Sequence, residues 1–453
     1  MKPLKILLIG LDGATPELLL EDERLVNLRR LMEVGSYGRL KSVVPPAGPA
    51  SWICLATGFD PGALGVHGPR NRADHRSIEG LAIWDQVTRQ GGKAVLIGVP
   101  PAERLPLLRA FSRAEAKIDF DMDDTDRMRL RDEVVDSTRR HFAEVRHLLK
   151  REDWSYFQLV EAGLDRLQRA FWSDRDPTHV PHDHASFSQH VITEYYRLLD
   201  DEIGKLLELL DDETMVLVVS THGAQRCDGG FCINDWLVHE GLLVLRHAPS
   251  EVTPLDRLDI DWSKTRVWSD GGDCASLFFN MRGRAAAGIV DPSECGALRA
   301  DVKARLEAIT GPQGRSLGTL VLEPEQIYRR VGNFDPDLIV QFGGMSRRAI
   351  DSVGHQTLHL EPGEMEDGGC SAAPQGAFVL AVPGLPGVGP VEDASVLDIA
   401  PTLLELRGLE RSPDLPGRSL LGSLLAAPSS ESPALDADEQ LLRDRLSGLG
   451  YLG

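Results

Sequence analysis

The segment Leu4-Lys5-Ile6-Leu7-Leu8-Ile9, stopped by Gly10-Leu11-Asp12-Gly13, constrains the fold more than any other part of the chain. So short and nearly unbroken an apolar run suits a strand covered on both faces, as in parallel sheets, and not a half-solvated one. Similar runs recur at residues 94–99, 156–160, 215–220, 275–280, 338–342 and 376–382. Helical patterns separate most of them, at 16–33, 129–150, 190–210 and 297–309. Strands alternating with helices predict an α/β fold with an open, mostly parallel central sheet flanked by helices. In such a sheet the functional groups belong at the carboxyl ends of strands. Asp12 and the Ser220-Thr221-His222-Gly223 turn both stand there.

Composition narrows the partners more than the fold. The 453 residues carry 49 Lys plus Arg against 69 Asp plus Glu, a net charge of −20 that disfavours nucleic acid or an anionic membrane. The apolar runs fall short of the roughly 20 residues of a spanning helix. The first run is also too short for a secretory signal and reads as a strand. Six scattered cysteines show no zinc or redox spacing, as expected of thiols in a reducing cytoplasm. Residues 1–425 read as one α/β domain. A charge-rich helical insertion at about 100–150 is expected over the sheet, where it would shape access to the pocket. Residues 426–453 read as a linker and a short helical tail.

Several residues invite a chemical reading. Asp12, in a glycine-rich turn after a strand, suits a metal ligand or catalytic carboxylate, although Asp also favours turns for its own hydrogen bonds. His222, directly after an apolar strand, is placed as a ligand or proton carrier. Asp165 and Arg169 follow the strand at 156–160 and read either as site residues or as a salt-bridged helix start. His179, His182 and His184 lie in a Pro- and Asp-rich loop and read as surface. His355 and His359 have i, i+4 spacing, but the residues between them are not clearly helical. Gly271-Gly272 follows no strand as a phosphate loop would, and no dinucleotide fingerprint is present.

Taken together, these pieces resemble the alkaline phosphatase superfamily, in its branch of type I phosphodiesterases and phosphohydrolases. Ile9-Gly10-Leu11-Asp12-Gly13-Ala14 resembles the opening strand and its first metal ligand. Ser51-Trp52 through Ala56-Thr57-Gly58, then Pro61-Gly62 and Gly65-Val66, resembles the nucleophile helix and the turn beyond it. Asn234-Asp235-Trp236-Leu237, Asn280 with Arg282-Gly283-Arg284, Pro336-Asp337-Leu338 and Asp398-Ile399-Ala400-Pro401-Thr402 continue the match in order, as does Leu449-Gly450-Tyr451-Leu452. The resemblance implies a three-layer α/β/α sandwich. It also implies two divalent metals bridged by a Thr or Ser nucleophile, which the metals activate while they neutralise the transferring group.

Carried over one residue at a time, the resemblance implies a degenerate site. The first metal-ligating Asp falls on Asp12 and the Asp of the second metal on Asp165. The nucleophile, counted back from Thr57-Gly58, falls on Gly48, which has no side chain. The His four residues after Asp165 falls on Arg169, which stays protonated and cannot ligate. The Asp-His pair after the central strand reads Thr221-His222, and the last His falls on Ala372. Without metal, Asp12 and Asp165 against Arg169 sum to about −1, which disfavours phosphate.

Three functions follow. The first is a repurposed enzyme acting on a small molecule, with His222 as acid or base, Asp12 or Asp165 orienting it, and Arg169 fixing an anionic group. It expects no cofactor, or at most one divalent metal, zinc or manganese, on Asp12 and His222. The second is a non-catalytic binding or scaffold protein. The third is a metal-dependent hydrolase with substitute groups, Ser51 as nucleophile and His355 or His359 as ligands.

Overall fold

The computed structural model describes residues 3–46, 48–67, 79–100, 110–111, 123–177, 187–332, 335–365 and 369–425. The N-terminal run is β1 (Lys5–Leu11), and it lies at the centre of a nine-stranded sheet. Parallel β4 (Tyr156–Glu161) flanks it on one side and parallel β5 (Thr214–Ser220) on the other. Beyond β4 come β3 (Ala94–Ile97) and the short strand Ala110–Phe111, both parallel. Beyond β5 the direction reverses. Here β6 (Gln375–Ala381) runs antiparallel between β5 and β2 (Ser36–Lys41). Residues 389–390 and 394–395 close that edge against β2.

Both faces of the sheet are covered, which is why β1 carries no alternation of polar and apolar residues. Leu7 and Ile9 pack with one group of helices: α2 (Asp124–Arg151), α3 (Gly163–Arg175) and α4 (Val191–Leu207). Ile6 and Leu8 pack on the other face with α1 (Pro49–Thr57) and α5 (Ile399–Leu406). The fold is therefore the expected three-layer sandwich. The helical pattern at 129–150 belongs to α2, whose Leu130, Val134, Phe142 and Val145 are buried against the sheet layer. The linker and tail beyond 425, and His179, His182 and His184, lie outside the described residues.

Two predicted strands belong elsewhere. Ala275–Phe279 and Leu338–Gln341 are not in the central sheet. They pair antiparallel with each other, and with Val267–Asp270 and Leu320–Leu322, in a separate four-stranded sheet. A further small sheet joins Arg348–Ile350, Gly230–Cys232 and His359–Leu360. Together with the helix Cys295–Glu307 these form a smaller lobe with its own core, including Phe231, Leu277, Val302 and Leu338. An apolar run reports burial on both faces and not which sheet provides it. The stretch at 16–33 is also two helices, Pro16–Leu20 and Val26–Val34, and not one.

Gly10 is fixed by space. A Cβ there would stand 2.6 Å from the Trp52 ring and 3.0 Å from Val160. Gly10→Ala is therefore expected to destabilise the fold by about 1–3 kcal/mol through overpacking. Urea denaturation of the variant beside the parent checks this, and an unchanged midpoint would contradict the close approach.

Candidate functional site

Three strand ends assemble the pocket. The chain leaves β1 at Asp12, whose amide donates to the Glu161 carbonyl at 2.9 Å. Gly13 then turns in the left-handed region at φ 74°. Its missing side chain matters, because that φ favours glycine and a Cβ there would crowd Gln168 Nε2 at 3.2 Å. From β4 the chain enters α3, which presents Asp165 and, one turn later, Arg169. Fully buried Gln168 ties this helix to the Asp12 turn: its amide donates to the Gly13 carbonyl at 2.8 Å, and Thr15 Oγ1 donates to its carbonyl at 3.3 Å. Thr221 and His222 leave β5, both almost completely buried.

Around these ends the polar groups are closely coupled. Trp52 Nε1 donates to Asp12 Oδ1 at 2.9 Å. His222 Nδ1 lies 3.9 Å from the same oxygen and 3.2 Å from Thr221 Oγ1. Thr221 Oγ1 is in turn 2.9 Å from Ser51 Oγ, which donates to the Gly48 carbonyl at 3.0 Å. Arg169 Nε donates to Asp165 Oδ2 at 2.9 Å. Ala372 is delivered beside the His222 turn because Cys370–Ala373 pairs antiparallel with Gly223–Arg226, with Ala372 opposite Ala224.

The two carboxylates respond in opposite directions. Burial pushes Asp12 above the ordinary range, and the neighbouring His222 only partly offsets it. Burial would also raise Asp165, but the charge and hydrogen bond of Arg169, helped by His222 and Arg348, hold it below the usual value. Asp165 in turn pushes the guanidinium of Arg169 further up, so that group is permanently cationic.

Asp12, Asp165, Arg169, Thr221, His222, Gly48 and Ala372 thus all meet at one place. Ser51 is completely buried, with its hydroxyl spent on Gly48 and Thr221, which leaves it no open face for attack as a substitute nucleophile. His355 and His359 do not share a helix: His359 pairs opposite Phe231 in the small lobe, and His355 sits in the preceding loop. Neither is coupled to the Asp12 cluster. Three further side chains contribute. Trp52 stands inside the nucleophile-helix motif, and its indole N–H holds Asp12. Asp273 accepts from the Ala372 amide at 3.3 Å and bears on Arg169. Arg348 also acts electrostatically on this cluster, through Asp165. A carboxylate directly after Gly271-Gly272 was the available signal for Asp273. Arg348 had none.

Residues 6–342 match the model of the type I phosphodiesterase / nucleotide pyrophosphatase family. The chain belongs to that family. No curated protein matches it in sequence. Among solved structures, murine ectonucleotide pyrophosphatase/phosphodiesterase 5 is similar with a TM-score of 0.57 at 13% identity, over 93% of this chain and 99% of that one. An inactive variant of the murine protein in complex with AMP gives 0.56 at 13% identity, over 93% and 99%. The human protein gives 0.55 at 13%, over 94% and 100%. At that identity the likeness establishes the shared fold.

The family is typically dependent on divalent metal, so the donor set needs testing against it. A protein-held zinc takes three or four N, O or S ligands. At the second-metal position the transferred ligands are Asp165, Arg169 and Ala372, which amount to one carboxylate already paired with a guanidinium. At the first, Asp12 and His222 are joined only by the Thr221 hydroxyl. The side chains that the resemblance assigns to two metals thus offer two carboxylates, one imidazole and one hydroxyl, fewer donors than two such ions take.

Asp165 and Arg169 are 28% and 18% exposed, so solvent screens their ion pair only in part. Arg169→Met is expected to cost about 2 kcal/mol at neutral pH, by stranding a carboxylate in a low-dielectric pocket. Because Asp165 is depressed in the folded state, its contribution is present above its ordinary value of about 4 and lost as pH falls through the folded value. The cost of the substitution should therefore shrink on acidification, as the stranded carboxyl takes up a proton. Stability of both proteins measured from pH 7 down to 3 checks this, and a constant difference would contradict it.

Proposed function

We propose that this chain is a type I phosphodiesterase-family protein whose two-metal hydrolytic centre has been dismantled, with the pocket kept for a small-molecule ligand handled by its own side chains. The observation that carries the reading is the Asp165–Arg169 ion pair. A carboxylate that the resemblance assigns to the second metal is instead satisfied by a permanent cation four residues later. Gly48 supports it from the other side: the position that the resemblance gives to the nucleophile has no side chain, and its backbone stands at φ 83°, a region that favours glycine over Thr or Ser.

In this reading His222 is the proton carrier, because its buried ring stands beside Asp12 at the carboxyl end of the central strands. Asp12, raised by burial, keeps a proton more readily than an ordinary carboxyl and donates or accepts according to the ligand's state. Asp165 locks Arg169 through Nε, which leaves the guanidinium's outer edge to meet an anionic group. Three carboxylates, Asp12, Asp165 and Asp273, face two guanidinium groups, Arg169 and Arg348. The cluster is therefore near neutral when Asp12 is protonated and slightly negative when it is not. That balance suits a neutral or singly charged ligand better than a phosphate dianion. A pocket wholly abandoned to a scaffold role would not need Asp12, Asp165 and His222 together, which favours an acid–base enzyme over a binding protein.

The test is turnover of bis-p-nitrophenyl phosphate with added zinc or manganese, run beside a thermal-shift screen of small molecules that includes AMP. The expected result is no turnover above the protein-free rate, together with stabilisation by some ligand that His222→Ala abolishes. Metal-dependent hydrolysis that disappears in His222→Ala would overturn the proposal in favour of a working phosphodiesterase.

A further inference from the structure

We propose a second, separate ligand site in the smaller lobe: a binding site for a thiophilic divalent cation, zinc by its donor chemistry, formed by Cys232, Asp235 and His355. One ligand atom from each residue lies within 4.8 Å of the others, and no other such group occurs among the described residues. Ligands on a tetrahedral zinc stand about 3.5 Å apart given bonds of about 2.0–2.3 Å, so closure needs only small side-chain adjustments. One thiol, one imidazole and one carboxylate form a mixed set that suits zinc and suits calcium or magnesium poorly. A water would complete the fourth position.

The surroundings already orient the donors. Cys232 ends the strand Gly230–Cys232 and is completely buried. Asp235 follows three residues later, and its two oxygens accept from the amides of Gly354 and His355 at 3.0 and 3.3 Å. Each oxygen keeps a further lone pair. Ser352 Oγ lies 2.9 Å from His355 Nε2. When that hydroxyl accepts from Nε2–H, the tautomer is fixed and Nδ1 presents its lone pair, as for a metal-ligating histidine held by an outer partner.

Binding would replace the thiol proton with the metal and release that proton to solvent. The bound ion would brace the loop carrying Ser352 and His355 against Cys232, and that loop follows the strand begun by Arg348, which bears on Asp165.

Cobalt(II) titration of the full chain tests the site, because a cobalt–thiolate bond gives a charge-transfer absorption that oxygen and nitrogen ligands do not. The proposal expects this band to saturate at one equivalent and to vanish on adding zinc. It should be absent in Cys232→Ser, at least tenfold weaker in affinity in His355→Ala, and unchanged in His222→Ala. Should Cys232→Ser fail to fold, Asp235→Asn and His355→Gln, which leave the thiol in place, must each weaken cobalt binding. Absence of the band in the parent, or a band unaltered by the lobe substitutions, would overturn the proposal.

Discussion

The pairing of β1 with β4 on one side and β5 on the other is the constraint on which the rest of the structure depends. It aligns Gly10 with Val160 and Val219, so the chain leaves all three strands at the same level. Asp12, the helix bearing Asp165, and the Thr221–His222 turn are brought together by this register. A slip of one residue would turn Leu7 and Ile9 to the face now occupied by Ile6 and Leu8 and would separate the three ends. The absence of a side chain on Gly10 lets the Trp52 ring lie against the strand, and Trp52 then holds Asp12 by its indole N–H. Packing and polar positioning thus meet in the same few residues.

What the pocket does with its charges follows from burial. A buried carboxylate is costly unless it is protonated or paired. In a two-metal phosphodiesterase the cations would meet that need. Here Asp165 is paired with Arg169, a cation supplied by the chain itself and fixed one helical turn away. Asp12, held by an indole donor beside an imidazole, is pushed by burial above the ordinary carboxylate range. The same fold therefore supports a different proton inventory, and fold alone does not carry activity across.

Much of the central sheet was legible, because strands covered on both faces must be apolar throughout. The strand β2, Ser-Tyr-Gly-Arg-Leu-Lys, was not, since its alternating burial brings polar residues into the run. The separate lobe was hidden for another reason. The residues 275–280 and 338–342 look as buried as β1, and nothing local tells which sheet they join. Within the pocket, Asp12, Asp165, Arg169 and His222 stood out because each follows a strand. Asp273 and Arg348 come from the smaller lobe, and their approach to Arg169 and Asp165 is set by long-range packing that no spacing in the chain encodes.

In the function proposed above, the chain's own charges take the place of paired metals. Metal content tests it most directly: purified protein is soaked in zinc or manganese, desalted, and the metal per chain counted by mass spectrometry. The Cys232→Ser and His355→Ala double variant removes the lobe site from the count. The account predicts less than one metal per chain in that variant. Two metals per chain, lost on His222→Ala or Asp165→Ala, would contradict it and restore a two-metal hydrolytic centre.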